Sequence, residues 1–382
     1  MSFKYVSLYS LAEWKNGLAF KQIHFAGQGK PVIKIAELKN GITAQTAYTQ
    51  QTFDDSVYLT KGDMVFSWSG NPETSIDVFW YNLPNGWLNQ HIFKVTPNEG
   101  VHKLYLYYLL KSLKPQFTAI ASNKQTTGLG HVTIRDMKEM MIELPDYDIQ
   151  KSVGEYLYSI DQKVCINQRI NDNLEQQASA LFSSFYDRSN TEVRYTDLIQ
   201  ILGGGTPKTG ENTYWNGNIA FFTPKDVGTP YTLITEKTIT EEGLSHCNSR
   251  LYPVNTVFVT ARGTVGKVGM SGVPMAMNQS CYALVGKETH QLLVYFYTLK
   301  AVDRLKHKAS GAVFDAITTR DFESEQIMKL SDDDAKAFLC IAEPMFQKVL
   351  NNCIENLRLS TLRDSLLPKL MSGEVDVSAV KL

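Results

Sequence analysis

The sequence is short of cysteine and of long apolar runs, and each shortage argues against a class of protein. The five cysteines, at positions 165, 247, 281, 340 and 353, show no C-x-x-C spacing, which disfavours a zinc site and a disulfide framework. No apolar run approaches the ~20 residues that cross a bilayer, and the N-terminus lacks the basic-then-apolar order of a signal peptide. We therefore expect a cytoplasmic chain with no metal site and no membrane partner.

Net charge is also nearly absent, since 38 basic residues are set against 39 acidic ones. This balance argues against a protein that coats DNA without sequence preference, which needs a strong positive field. A site-specific reader needs only a local basic surface and stays possible. The length of 382 residues suits two or three domains.

Catalytic motifs are missing as well. Residues 203–208 (GGGTPK) and 261–268 (ARGTVGKV) both fail the phosphate-loop pattern G-x-x-x-x-G-K-[ST], so we interpret them as glycine-bearing turns. Residues 71–74 (NPET) resemble the [DN]-P-P-[YFW] signature of amino-methyltransferases but lack its second proline and its aromatic residue. The seven histidines show no metal-binding spacing. We predict no catalytic site and no cofactor in this chain.

What the sequence does contain is an internal duplication. Residues 133–136 (TIRD) resemble residues 318–321 (TTRD) at an offset of 185 positions, and Asn89-Gln90 matches Asn278-Gln279 at 189. The offset drifts because insertions accumulate in loops. Each half therefore consists of a mixed domain followed by a long helix.

The two helices carry a coiled-coil repeat. Apolar residues recur at alternating spacings of four and three from position 153 to 185, and adding 185 to each position gives the same pattern, with Arg363 as the one departure. Asparagine stands in the same two layers of each helix, at Asn167, Asn171, Asn352 and Asn356. One stripe would equally suit a helix packed on its own domain, but two matching stripes favour pairing. An Asn in an apolar seam penalises wrong registers because its amide needs a partner.

The order of the segments also predicts the direction of the helices. The second mixed domain joins the end of one helix to the start of the other, and domain termini often lie close together, so the helices should run antiparallel. Each mixed domain alternates strand-like runs with turns and has a helical stretch, near 102–114 or 290–307. We predict an α+β fold: two similar domains separated by a long antiparallel two-helix coiled coil, with pseudo-twofold symmetry. The predicted segments are domains 1–147 and 191–334 and helices 148–190 and 335–382, the last with a tail.

Several segments resemble one protein family. Residues 362–375 (LRDSLLPKLMSGEV) look like the C-terminal signature of type I restriction-modification specificity subunits, and residues 180–185 resemble the central conserved helix of that family. Its target-recognition domains are similar to residues 203–207, 214–219, 223–227 and 261–266. The resemblance covers essentially the whole chain. It is weakest at residues 11–17, which lack the GGGTP-type run.

The resemblance implies partners and a role. Double-stranded DNA would be bound by two target-recognition domains, each reading one half of a split, asymmetric site, while the helices set the unread gap. Two modification subunits would carry S-adenosylmethionine and methylate adenine at N6. The resemblance allows for two further restriction subunits, which would use ATP and Mg for translocation and cleavage.

Polar and basic loop segments are our candidates for DNA contact, because Arg and Lys suit guanine edges and phosphates while Gln suits adenine. They are Lys124, Gln125, Thr126 and Thr127 in the first domain, and Arg262, Lys306, His307, Lys308 and Ser310 in the second. A solvated charged surface would look the same at each position. Two alternatives to the specificity subunit stay open: a coiled-coil scaffold without a DNA role, and a fused restriction-methylation enzyme, which the missing motifs disfavour.

Overall fold

The computed structural model describes residues 3–125, 128–228, 230–308 and 316–375. The chain divides into two compact units. The first contains the residues up to Lys163 together with those from Leu359 onward, and the second is Val164–Arg358. Each unit therefore combines one mixed domain with a part of each long helix.

The first unit is built on short strands and four helices that precede the first long helix. Its strands are β1 (Phe3–Ser7), β2 (Ala12–Asn16), β3 (Lys30–Ile33), β4 (Tyr48–Thr49), β5 (Tyr58–Leu59), β6 (Met64–Ser67), β7 (Ser69–Gly70), β8 (Asp77–Trp80), β9 (Gly86–Leu88), β10 (Ile92–Pro97), β11 (Gly130–His131) and β12 (Met141–Pro145). Its helices are α1 (Ile35–Asn40), α2 (Lys103–Ser112), α3 (Lys114–Asn123), α4 (Ile134–Glu139) and the start of α5 (Tyr147–Asp187).

The second unit repeats this plan. Its strands are β13 (Thr191–Arg194), β14 (Ile199–Gly203), β15 (Trp215–Phe222), β16 (Tyr231–Thr232), β17 (Lys237–Ile239), β18 (Val257–Thr260), β19 (Val268–Ser271), β20 (Met275–Met277), β21 (Cys281–Gly286) and β22 (Gln326–Lys329). Its helices are α6 (Tyr195–Leu198), α7 (Glu241–Ser245), α8 (Gln291–Lys308), α9 (Thr319–Glu323) and the start of α10 (Asp332–Met371).

Sheet topology confirms the duplication. The order β2-β10-β6-β8 in the first unit corresponds to β14-β21-β18-β19 in the second, and both sheets are antiparallel along that order. Each unit also has a parallel strand pair, β3 with β9 and β15 with β20. The pairs β1-β12 and β13-β22 complete the match. The fold is α+β, as predicted.

The short matching motif also has one structure in both units. Thr133 and Asp136 form a capping box at the start of α4, and Thr318 and Asp321 form the same box at the start of α9. In each box the threonine hydroxyl accepts from the aspartate backbone N–H, and the carboxylate accepts from the threonine N–H. The repeated sequence is therefore a helix-start signal rather than a binding motif.

The long helices α5 and α10 begin at residues 185 positions apart, Tyr147 and Asp332. None of the ten predicted seam positions in either helix is exposed. Within the second unit the two helices run antiparallel, because Asn167 contacts Asn356 while Asn171 contacts Asn352. The predicted antiparallel pairing is therefore present.

The pairing in the first unit uses Arg363, the residue that departs from the apolar seam. Its guanidinium donates to Asp161, which also accepts a hydrogen bond from the Tyr108 hydroxyl at 2.6 Å. The corresponding positions in the second unit, 185 residues away, are Phe346 and Ala178, both buried. One unit therefore fills this layer with an ion pair and the other with apolar side chains.

An aromatic cluster holds the helices to the domain in the second unit. The rings of Phe182 on α5, Phe296 on α8 and Phe338 on α10 lie 5.0 to 5.5 Å from one another. Edge-to-face and offset pairs at such distances are favourable beyond the area that they bury. Helix α8 has buried residues on all sides from Leu292 to Thr298, which explains its continuous apolar sequence.

Candidate nucleic-acid interface

The second unit presents Arg262 on the connection between β18 and β19. The backbone of this connection is fixed, because Ala261 N–H donates to Ser280 O at 2.8 Å and Arg262 forms a β-bridge with Ala316. Gly263 has a φ of 82°, a left-handed conformation that favours glycine. Arg262 itself is exposed and makes no ion pair with any described residue. A guanidinium on an anchored backbone suits a phosphate or a guanine edge.

Lys306 lies beside the same connection. A Cβ added to Gly266, which has a φ of 74°, would lie 2.6 Å from Cε of Lys306. The structure therefore brings the lysine stem over this glycine and joins two of the predicted residues, Arg262 and Lys306, in one region. His307 is also exposed, and its Nε2 lies 3.7 Å from the carboxylate of Asp303.

Two other predicted lysines are already paired with carboxylates. Lys308 donates to Glu325, whose side chain is only 1% exposed and also lies 3.7 Å from Arg304. In the first unit Lys124 donates to Asp136, the carboxylate of the capping box. Burial alone would raise the pKa of Asp136, but hydrogen bonds from Lys124 and Thr133 outweigh burial and hold this pKa below its usual range.

Lys124 and Lys308 thus occupy nearly equivalent places in the duplication, and each is tied to a carboxylate of its own unit. Their ammonium groups are less available to DNA than the guanidinium of Arg262. Gln125 is exposed. The remaining predicted residues, Thr126, Thr127 and Ser310, lie outside the described part of the chain.

The NPET segment is a turn. The side-chain oxygen of Asn71 accepts from the backbone N–H groups of Glu73 and Thr74, at 3.1 and 3.0 Å. Such an Asx turn uses up the amide oxygen that a methyltransferase would direct at its substrate amine. The segment connects β7 to β8 and is part of the chain between β6 and β8, the place that corresponds to the Arg262 connection in the second unit.

The GGGTP run is shaped by a close approach of two backbones. A Cβ on Gly204 would lie 2.2 Å from the carbonyl oxygen of Asn278, so only glycine fits without movement. The first unit has the same contact, since a Cβ on Gly17 would lie 2.2 Å from the carbonyl oxygen of Asn89. Residues 11–17 therefore contain an equivalent structural element, although they have a single glycine, Gly17, in place of the GGGTP run.

Sequence reasoning missed a polar surface on the first unit. An open cavity of about 600 Å³ is bordered by Lys30, Gln50, Gln51 and Asp55, and the rings of Tyr58 and Trp87 form its aromatic part. The compositional signal was present, because residues 43–52 (TAQTAYTQQT) are rich in threonine and glutamine and contain no charge. From sequence alone such a segment between short strands is interpreted as a loop, because the sequence does not show which of its side chains lie together.

The four predicted asparagines meet in the second unit. Asn167 Nδ2 donates to Asn356 Oδ1 and Asn352 Nδ2 donates to Asn171 Oδ1, both at 2.8 Å. The two bonds are equivalent under the 185-residue offset. The Oδ1 atoms of Asn167 and Asn352 are buried and have no hydrogen-bond partner among the described residues. Because unpaired buried amide oxygens are costly, this layer tolerates few changes of register.

The comparisons with known proteins identify the family. A family model described as type I restriction modification DNA specificity domain matches twice, at residues 2–176 and 188–329. The chain belongs to this family. Each of its mixed domains is thus a DNA specificity domain, and the family supports a DNA sequence-specificity subunit over a scaffold without a DNA role.

The chain is also similar to individual specificity subunits of type I restriction systems. The chain is 22% identical over 403 residues to the specificity subunit of the type I restriction enzyme HindI from Haemophilus influenzae, covering 83% of this chain and 87% of that one. It is 27% identical over 208 residues to the EcoR124I/EcoR124II specificity subunit of Escherichia coli, covering half of each. The crystal structure of the type I restriction-modification S subunit from M. genitalium has the same fold, with a TM-score of 0.59, 15% identity and coverage of 97% and 96%.

Within the described ranges, no group of three or more His, Cys, Asp or Glu side chains is placed to hold a metal ion. None of the helices in that part of the chain combines the length and apolarity of a membrane span.

Proposed function

We propose that this specificity subunit reads a split, asymmetric DNA site, with each mixed domain reading one half. The observation that carries the proposal is the presence of two DNA specificity domains of one plan in a single chain. Their surfaces differ, since the first has the open cavity bordered by Gln50 and Gln51 and the second has Arg262 on its anchored connection. Two different surfaces on the same framework favour two different half-sites.

The helices would set the unread gap and bind the other subunits. Two modification subunits would bind S-adenosylmethionine and methylate adenine, and two restriction subunits would supply translocation and cleavage with ATP and Mg. The repeated helix pattern supports a pair of identical partners, because two helix segments of the same pattern offer the same kind of surface twice. We place the chain in the cytoplasm, with the DNA, as a non-catalytic subunit of the methyltransferase and endonuclease complex.

Methylome sequencing tests this proposal. The full chain is co-expressed with its modification subunit, and we expect the methylated sites to share one bipartite motif with a fixed gap. Replacing residues 191–334 with the same domain of a relative should change one half of the motif and keep the other half and the gap. A change in both halves would refute independent reading, and methylation by the highly purified chain alone would refute a non-catalytic role.

A further inference from the structure

We infer that Gln50 and Gln51 read base edges in the half-site of the first domain, with Lys30 and Asp55 beside them. This inference rests on the proposed function and names the residues that would carry it. These four side chains, which we call the glutamine rim, border the open cavity of about 600 Å³ on the first unit.

The backbone beneath the glutamine rim is held by a strand pairing, a close backbone contact and a hydrogen bond. Lys30 pairs with Thr49 across β3 and β4, and Gly29, with a φ of 121°, lies so close that its Cβ would meet Thr49 O at 2.2 Å. The Thr49 hydroxyl then accepts the backbone N–H of Gln51 at 3.2 Å. Specific readout needs side chains on a fixed support, because ordering a loose loop costs binding free energy.

Aromatic packing fixes the other end of the segment. Phe53 lies edge-on to Trp87 with ring centroids 5.2 Å apart, and Tyr58 lies 4.8 Å from the same ring. Trp87 is 4% exposed and belongs to the apolar core of this part of the unit. The exposed residues between Thr49 and Phe53 are therefore held at both ends.

The polar groups of the rim are available for a ligand. Gln50 is exposed, and its side chain makes no hydrogen bond to any described residue. Gln51 uses one amide N–H on the carbonyl of Ile23, at 3.3 Å, which leaves its oxygen and its second N–H. Lys30 is exposed and forms no ion pair within the described residues.

The mixture of donors and acceptors favours bases over phosphates. A phosphate contact needs donors alone, and the carboxylate of Asp55 would repel a phosphate. The major groove displays both kinds of group: adenine offers N7 as acceptor and N6 as donor, which a glutamine amide matches with two hydrogen bonds. A carboxylate can accept from cytosine N4, and a lysine can donate to guanine. The rim therefore fits base edges, with adenine as the base that its two amides favour.

The experiment changes single side chains in the full chain with its modification subunit. Methylation is scored on a duplex pool randomised across the motif. Gln50→Ala and Gln51→Ala should each lower the preference for adenine at one position, or for its paired thymine, by roughly tenfold. Both changed positions should lie in one half of the motif. Gln50→Glu and Gln51→Glu should shift that position towards cytosine, because a carboxylate accepts from N4.

The controls separate readout from folding. Gln45→Ala, in the same segment, and Gln116→Ala, on α3, remove exposed glutamines away from the rim and should leave the motif unchanged. Unaltered motifs in all four rim variants would overturn the inference, as would an equal loss of methylation at every sequence. A wild-type complex that shows no sequence preference would instead refute the proposed function itself.

Discussion

Asn352 donates a hydrogen bond to Asn171 across the helix pair of the second unit, at 2.8 Å, and both side chains are buried. Asn352→Ala leaves the Oδ1 atom of Asn171 without its donor. We expect this variant to lose about 1–3 kcal/mol of unfolding free energy, because a buried acceptor then goes unpaired. Urea denaturation followed by circular dichroism measures the loss. Asn351→Ala, at an exposed neighbouring position, should lose only a few tenths of that amount of unfolding free energy.

Replacing both asparagines of this pair separates their effect on stability from their effect on the register of the helices. Asn171→Leu with Asn352→Leu should be nearly neutral or stabilising, because apolar side chains replace a polar pair as a unit. The same double variant should lose its single register and form additional oligomers, which size-exclusion chromatography with light scattering detects. A strictly monomeric double variant would show that the Asn171–Asn352 pair is not needed to set the register.

Glu175 makes the stability of the second unit dependent on pH. Burial raises the pKa of this carboxyl above its ordinary value of 4.5, against the hydrogen bond that it accepts from Tyr295. Between the ordinary and the raised pKa the folded chain binds more protons than the unfolded chain, so this group lowers stability as pH rises. Glu175→Gln should therefore match the wild type near pH 4 and melt at a higher temperature at pH 7. Glu323→Gln, at an exposed site, should shift the melting temperature equally at both pH values.

Gly204 should be far more sensitive to substitution than its neighbour. Gly204→Ala places a Cβ 2.2 Å from Asn278 O, whereas Gly203→Ala meets nothing within 4 Å. We expect the first variant to lose at least about 2 kcal/mol of unfolding free energy, since two backbones must separate, and the second to stay within about 0.5 kcal/mol. Thermal melts of both variants test this. Gly17→Ala should repeat the large loss in the first unit, because its Cβ would meet Asn89 O at the same distance.

Much of the fold was predictable because it depends on periodicity and repetition. The alternating four-and-three spacing identified seam positions of which none is exposed, and the matching TIRD and TTRD segments form the same capping box. Gly17 shows where prediction failed. A single glycine carries no signal, and its role appears only when the backbone of Asn89 is seen beside it.

The candidate interface was harder to predict because its partners are distant in sequence. The charge of Lys308 predicts a contact with DNA, yet its carboxylate partner, Glu325, is 17 residues away. The rim around Gln50 was overlooked because Lys30 joins it only through the pairing of β3 with β4. Composition identifies charged and polar residues, but long-range pairing determines which of them remain available for DNA.

We expect the two long helices to set the length of the unread gap, as a ruler would. The contacts Asn167–Asn356 and Asn171–Asn352 place Leu174 level with Val349 in the antiparallel pair. One heptad inserted after Leu174 and one after Lys348 would therefore face each other and keep the apolar seam in phase. Each insertion adds about 10 Å of helix at 1.5 Å per residue, which equals about three base pairs. Methylome sequencing should show the same two half-sites with a gap that is longer by about three.

The longer ruler should also weaken methylation, because three extra base pairs turn the half-sites by about a third of a helical turn relative to each other. Inserting the heptad after Leu174 alone serves as the control. Its seven residues would have no partner in α10, so the helix pair should lose stability and methylation should fall at every gap length. If the double insertion instead methylated the original spacing at full strength, the distance between half-sites would have to be set by the domains and not by α5 and α10.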